Sequence, residues 1–286
     1  MIQNLVKAIA TNCGINFTRY EQVNGGDINE CYCLHSQGIK YFLKLNDAGR
    51  FPHMFELEAE GLEALRSNSS LIVPQVIQQG IINDTQWLLL QWMDKGSPKN
   101  NSLQNFGSAL AYMHHHPQPY FGWHKNNYIG SLQQVNTQLN CWTEFYTQWR
   151  VMPLVKILFD KGIFSIPDIN AATTFCKKMA GLFPEEPPAL LHGDLWGGNY
   201  MISINGDAII FDPAIYYGHR EMDLGMTKLF GGFSQPFYDA YHAAYPLEKG
   251  WQQRLPLTQL YPLLVHAVLF GGHYVMSVKE IISKHS

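Results

Sequence analysis

Residues 190–212 read LLHGDLWGGNYMISINGDAIIFD, and the fold of the whole chain is decided by how this stretch is read. Asn205-Gly206 lies between two apolar runs, Tyr200–Ile204 and Asp207–Phe211. That pattern predicts a hairpin with a two-residue type I′ loop, because both central residues of such a loop need positive φ. In that register Ile204 pairs with Asp207 and Asn199 stands opposite Asp212, with Cα atoms roughly 4.5–5.5 Å apart and side chains on one face. An amide oxygen and a carboxylate meeting there form a hard oxygen site suited to Mg²⁺. A three-residue loop would shift the register by one and lose this facing. Asp194 precedes Asn199 by the Asp-x-x-x-x-Asn spacing of phosphoryl-transfer loops, in which the Asp accepts a proton from the acceptor hydroxyl. Gly193, Gly197 and Gly198 let backbone approach a substrate closely. Singly these residues read as an ordinary turn and solvated strand ends; together they point to a metal-dependent catalytic site with Asp194 as base and Asn199 and Asp212 as metal ligands.

Phosphoryl transfer also needs a cation on the phosphates and an anchor for it. Lys44 interrupts the apolar strand Tyr41–Leu45, an expensive place for an ammonium without a partner. Downstream, Phe55, Leu62 and Leu65 form the apolar stripe of a helix predicted over 54–66, and Glu58 falls inside that stripe. Glu56, Glu60 and Glu63 fall toward the solvated side, so Glu58 is the acid aimed inward and a Lys44–Glu58 pair is expected. Gly25-Gly26-Asp27-Ile28-Asn29 joins the first two predicted strands. Read alone it is an ordinary hairpin turn; ahead of Lys44 it becomes a candidate cover for phosphates through backbone N–H groups. Gln91, Trp92 and Met93 end the last strand before a polar, Gly- and Pro-containing stretch (93–101), where backbone groups are placed to meet adenine.

Composition narrows the partners. The chain has 286 residues with 46% apolar side chains, so a substantial core is affordable only by a globular fold. A net charge of −3 leaves no basic field for gripping nucleic acid. Five cysteines, an odd number without a Cys-x-x-Cys pair, exclude a disulfide framework and a zinc ribbon. The N-terminus, with Gln3, Asn4 and Lys7, lacks the apolar core of a secretory signal. The apolar stretch Tyr261–Met276 is interrupted by His266 and His273 and is shorter than the ~20 residues of a membrane span. A cytoplasmic protein with no membrane or nucleic-acid partner is expected, with a monomer as the default. Strand composition dominates residues 17–92 after an opening helix at 2–13, and helical patterns dominate after 102. The expected class is α+β, with a small antiparallel sheet lobe (1–93) and a larger, mainly helical lobe (94–286).

With those residues in place, the sequence resembles the fructosamine kinase (ketosamine-3-kinase) family, relatives of aminoglycoside phosphotransferases with the bilobal protein-kinase-like fold. The markers are Gly25–Glu30, Phe55–Leu65, Phe121-Gly122-Trp123 with Asn127–Gly130, Leu191–Asn199, Asp212-Pro213-Ala214, and Tyr216–Leu224 running on to Leu229–Phe233. The resemblance implies ATP- and Mg²⁺-dependent phosphorylation of a sugar hydroxyl, O3 of the ketose, in free or protein-bound ketoamines. It implies the roles above for Asp194, Asn199, Asp212, Lys44, Glu58 and Gln91–Met93. It also implies that Trp196, His219 and Arg220 face the ketoamine, and that Asp223 braces the catalytic loop. Two other readings compete: a kinase of the same fold acting on an aminoglycoside, choline or another sugar, and a catalytically silent nucleotide-binding relative. An acidic acceptor pocket would favour the first of these, and the presence of Lys44, Asp194, Asn199 and Asp212 together disfavours the second. A protein kinase is excluded by the absence of His-Arg-Asp and Ala-Pro-Glu motifs.

Three further features are assigned to structure. His114-His115-His116 ends a helix before Pro117, where it complements the helix dipole. Cys31 and Cys33 alternate along a strand as small apolar residues, with a redox role as the alternative. Trp142, Phe145 and Trp149 recur at helical spacing and are read as core.

Overall fold

The computed structural model describes residues 2–23 and 28–286. The chain opens with α1 (Ile2–Cys13), followed by β1 (Arg19–Val23), β2 (Glu30–Ser36), β3 (Ile39–Asp47), α2 (Met54–Asn68), β4 (Val76–Ile82) and β5 (Thr85–Gln91). The five strands form one sheet in the order β1-β2-β3-β5-β4, every neighbouring pair antiparallel. Alternation along the strands divides its faces. Tyr32, Leu34, Leu43, Leu45, Trp87 and Leu89 pack with Val6 and Ile9 of α1. Cys31, Cys33, Lys44, Leu88 and Leu90 take the other parity, turned toward the rest of the molecule.

The stretch after β5 is fastened rather than loose. The Gly96 N–H donates to the Ile202 carbonyl (2.7 Å), and a Cβ on Gly96 would fall 2.4 Å from the Ser203 oxygen. Helices then dominate: α3 (Ser102–His114), α4 (Trp142–Phe145), a π-helical segment (Tyr146–Val151), α5 (Met152–Asp160) and α6 (Ile166–Lys178). After residues 190–212 and β11 come α7 (Glu221–Leu229), α8 (Gln235–Ala244), α9 (Leu255–Phe270) and α10 (His273–His285). Six short strands interleave: β6 (Asn127–Ile129) with β7 (Leu132–Gln134), β8 (Ala189–Leu191) with β11 (Tyr216–Gly218), and β9 (Tyr200–Ile202) with β10 (Ala208–Ile210). The π-helical segment joins α4 to α5 without a gap and carries the buried Arg150. Among the described residues no helix is long and apolar enough to cross a membrane.

The α2 stripe forms as its spacing predicts: Phe55, Leu62 and Leu65 are all buried. They join one apolar cluster with Phe106, Leu190, Leu195, Ile210 and Phe237, so the helix that carries Glu58 is seated in the same core as residues 190–210. Truncating Phe55 or Leu62 to Ala would cost on the order of 2–5 kcal/mol.

The hairpin register differs from the one expected. Ile202 pairs with Ala208 and Tyr200 with Ile210, and the Phe211 N–H donates to the Asn199 carbonyl, so Asn199 faces Phe211 rather than Asp212. The loop has three residues closed by Ser203 and Asp207, whose N–H and carbonyl meet at 2.8 Å. Gly206 alone has positive φ (90°), whereas a type I′ turn needs it at Asn205 too. The Ser203 hydroxyl accepts from the Asn205 and Asp207 N–H groups, and the Ser102 hydroxyl donates to the Gly206 carbonyl (2.5 Å). Local side-chain bonding and the start of α3 therefore override the Asn-Gly preference.

Candidate active site

Lys44 reaches from β3 into a cavity of about 460 Å³ shared with Glu58, Asp194, Asn199 and Asp212. Its Nζ donates to both Glu58 carboxylate oxygens (2.7 and 2.9 Å) and to Asp212 Oδ1 (2.9 Å). The lysine is only 2% exposed. Burial alone would strip its charge, but the charges of Asp212 and Glu58 prevail and hold its pKa above the ordinary lysine value. Asp212 arrives by a route the sequence did not predict. Out of register with Asn199, it adopts left-handed backbone (φ 54°), uncommon for a non-glycine residue, at the exit of the hairpin.

Asp194 follows β8 in the His192-Gly193-Asp194 turn. Gly193 is required there: its φ is 82° and a Cβ would lie 2.0 Å from the Ala214 carbonyl oxygen. The loop is held from below by Asp223 on α7, whose two oxygens accept from the His192 N–H (2.8 Å) and the Gly193 N–H (2.9 Å). His114 Nε2 donates to the same carboxylate (3.2 Å), and its Nδ1 meets the Tyr241 hydroxyl (2.8 Å). Burial works against the Asp223 charge, yet His114, His192 and the Gly193 N–H keep its pKa below the usual carboxylate value. His192 donates from Nε2 to the Phe211 carbonyl (3.0 Å) and accepts at Nδ1 from the Asp194 N–H (3.3 Å), bonds that define one neutral tautomer. Burial holds it neutral by lowering its pKa. For Asp194 burial pushes the pKa up to about 7, the charges of Asp212 and Asp223 add to this, and a hydrogen bond from Asn199 opposes it.

Asn199 orients Asp194. Its Nδ2 donates to the Asp194 backbone oxygen (2.9 Å) and carboxylate (2.9 Å), and at 3.4 Å to the Asp212 carbonyl. Among the described residues no protein donor reaches Asn199 Oδ1 or Asp212 Oδ2, and both residues line the cavity. Two uncommitted hard oxygens beside an ion-paired lysine fit a magnesium ion.

The remaining lining is different in character. Trp196 is 39% exposed, and its indole lies where a Cβ on Gly198 would clash at 2.3 Å. Tyr128, Phe51, His266 and Phe270 add rings, and Arg50 adds a cation. His266 donates from Nδ1 to the Pro262 carbonyl (2.8 Å), and burial lowers its pKa. Glu58, Asp194 and Asp212 are the acids among the lining residues, and each already belongs to the charged cluster.

His219 and Arg220 do not meet the expectation that they face this space. Both are buried outside the cavity lining. Arg220 makes two bonds to Glu186 (2.7 and 2.8 Å), donates to the Tyr245 and Pro246 carbonyls, and stacks 3.5 Å over the Tyr245 ring. His219 packs against Trp142 and Phe183. The pair directly follows β11, and Glu186 lies in an irregular segment that offers no pattern to predict it. Gln91, Trp92 and Met93 also lie outside this cavity, and the Gln91 N–H donates to the Gln75 carbonyl (2.8 Å). Gly25, Gly26 and Asp27 fall outside the described residues. The His114 clamp, Arg50, Tyr128 and Phe270 were not anticipated; His266 announced itself only as a polar break in an apolar helix.

These features agree with what the chain is similar to. A family model described as fructosamine kinase matches residues 1–285. A probable ketoamine kinase of Synechocystis sp. is 37% identical over 99% of this chain and 96% of that protein. The chloroplastic protein-ribulosamine 3-kinase of Arabidopsis thaliana is 35% identical over 94% of this chain and 82% of its own length. A crystal structure of a putative fructosamine-3-kinase from Thermobifida fusca superposes with a TM-score of 0.87 at 34% identity, covering 97% of this chain and 96% of that one. An aminoglycoside phosphotransferase shares the fold at a TM-score of 0.64 and 14% identity, covering 100% of this chain and 99% of that one. The two-lobed architecture is thus that of kinase-like phosphotransferases, and the chain belongs to the fructosamine kinase family.

Proposed function

We propose that the protein transfers the γ-phosphoryl group of ATP to a ketoamine, at O3 of the ketose, with Mg²⁺ held by Asn199 Oδ1 and Asp212. The observation that carries this reading is the pairing of two prebuilt devices in one cavity: Lys44 clamped by Glu58 and Asp212, and Asp194 clamped by Asn199. Lys44 binds phosphate oxygens and keeps its charge while doing so. Asp194 accepts the proton of the acceptor hydroxyl and aligns that oxygen, which suits a carboxyl whose pKa lies near neutrality. Asp223 and His114 keep the loop from shifting as that proton moves. Bound magnesium supplies charge neutralisation on the triphosphate. In this reading the nucleotide lies between the lobes 1–93 and 94–286. The adenine edge is met by 91–93, where a backbone donor has to come from Trp92 or Met93 because the Gln91 N–H is taken.

The aromatic lining favours a ketoamine over an aminoglycoside. A polycation needs carboxylates to receive its ammonium groups, and the lining acids are all spent on catalysis. Trp196, Tyr128 and Phe270 instead offer faces for the C–H surface of a sugar. The test is ATP consumption with Mg²⁺ against fructosyl- and ribulosyl-amines, with aminoglycosides and choline alongside, and NMR location of the phosphate on the product. Turnover on ketoamines with phosphate on O3 is expected. Turnover confined to aminoglycosides or choline would overturn the assignment.

A further inference from the structure

A second cluster of ligating atoms stands on the same sheet face as Lys44, at the outer edge of the sheet. Glu21 on β1 lies directly opposite Cys33 on β2, and His35 is two residues further along β2, so strand alternation puts all three side chains on one face. Cys33 Sγ and His35 Nε2 are 3.5 Å apart, and His35 Nε2 and Glu21 Oε1 are 3.0 Å apart. All three donor atoms lie within 4.8 Å of one another. A tetrahedral zinc ion about 2.3 Å from sulfur and about 2.0 Å from nitrogen holds those donors about 3.5 Å apart, the spacing found here before any metal is present.

We propose that Glu21, Cys33 and His35 form a binding site for a thiophilic divalent metal of the zinc class, three protein ligands with a fourth position open to water. The mix of one sulfur, one nitrogen and one oxygen suits zinc and disfavours magnesium or calcium, which take oxygen ligands. The site is distinct from the magnesium pair: neither Asn199 nor Asp212 belongs to it. Arg19 now neighbours the cluster, its NH2 3.1 Å from both Glu21 oxygens and 3.5 Å from His35 Nε2. Its side chain is 64% exposed, so it swings into solvent at little cost when a metal arrives. Because β1 is an edge strand, bonded in the sheet to β2 alone among the described residues, the metal would cross-link that edge to the sheet.

The full-length protein, reduced and free of metal, is titrated with Co²⁺ as a spectroscopic stand-in and then with Zn²⁺. One equivalent of Co²⁺ is expected to give a thiolate-to-metal charge-transfer band with the visible bands of a four-coordinate ion, all erased by Zn²⁺. Cys33→Ala abolishes the charge-transfer band, His35→Gln and Glu21→Gln weaken binding by at least about tenfold, and Cys141→Ala leaves it unchanged. Zinc should raise the unfolding temperature of the wild type but not of Cys33→Ala. Absence of the band at one equivalent, or its persistence in Cys33→Ala, overturns the proposal. Should Cys33→Ala fail to fold, unchanged affinity in the exposed-edge variant Glu21→Gln together with His35→Gln overturns it equally.

Discussion

On one part of the cavity lining, Lys44 is bonded to Glu58 and Asp212, and Asn199 to Asp194, at 2.7–2.9 Å; among the described residues no protein donor reaches Asn199 Oδ1, Asp212 Oδ2 or Asp194 Oδ1. On the other, Tyr128, Trp196, His266 and Phe270 present rings, Trp196 and Phe270 exposed to solvent and the other two partly buried. The first part is largely prebuilt, and an arriving phosphate has only to displace one of the three bonds that Lys44 Nζ now makes; the second is a surface on which an acceptor can lie. In the proposed reading chemistry and specificity fall on separate residues, so mutations should separate them too. Electrostatic stabilisation by fixed groups is where most of the rate is expected to originate.

The largest effect should come from the charged part. Lys44→Met should lower kcat by roughly 10²–10³-fold. It should also lower the unfolding temperature, because Glu58 is left as a buried charge without its partner. A Lys44→Met enzyme within tenfold of wild type would erase the contrast. Next in size is the pH profile. Asp194 must be ionised to take a proton and its pKa lies at about 7. Accordingly kcat/KM should rise about tenfold per unit well below that point, roughly fiftyfold between pH 5 and 7, and level off above it. The same shift has a stability signature. A carboxyl whose pKa is raised by folding costs stability as pH climbs from its unfolded to its folded value, so Asp194→Asn should gain unfolding temperature over wild type at pH 8, keep a smaller advantage at pH 5, and lose it only below about pH 4.

Smaller effects should follow from the brace and then from the rings. Asp223→Asn keeps the shape but not the charge that receives two loop N–H groups and His114, and should cost kcat about ten- to a hundredfold with little change in KM. Steady-state kinetics with both substrates varied would expose any mainly KM effect. Trp196→Ala should raise the KM for the ketoamine by about three- to tenfold while leaving kcat and the KM for ATP nearly unchanged. A large kcat loss in that variant would mean that the rings share in the chemistry.

The charged part was also the more legible. Lys44 stood out as an ammonium in an apolar strand, and helical phase alone singled out Glu58 from four acids, because period and burial are local properties. Asp223 was expected as the brace of the catalytic loop, and it is. Facing of Asn199 and Asp212 was read from an Asn-Gly loop that has three residues instead of two, since the Ser203 hydroxyl and the Ser102 contact to Gly206 are tertiary and invisible to a turn preference. The two oxygens nonetheless share the cavity because Asp212 takes a left-handed backbone, which no alternation rule predicts. His219 and Arg220 were placed at the substrate on the strength of a motif, whereas Glu186 and Tyr245 draw them into the interior. The 127–131 loop and the α9 residues lie far apart in sequence and meet only in the folded chain, so their shared surface had no linear signature.

The most direct test compares Asp194→Asn with Asp212→Asn for two quantities, affinity for ATP with Mg²⁺ and turnover of a ketoamine. Asp194→Asn is expected to lose turnover by about 10²–10⁴-fold while binding the nucleotide as wild type does, and Asp212→Asn to lose both. Parallel loss of nucleotide affinity and turnover in the Asp194 variant would contradict its place as the group that receives the acceptor's proton.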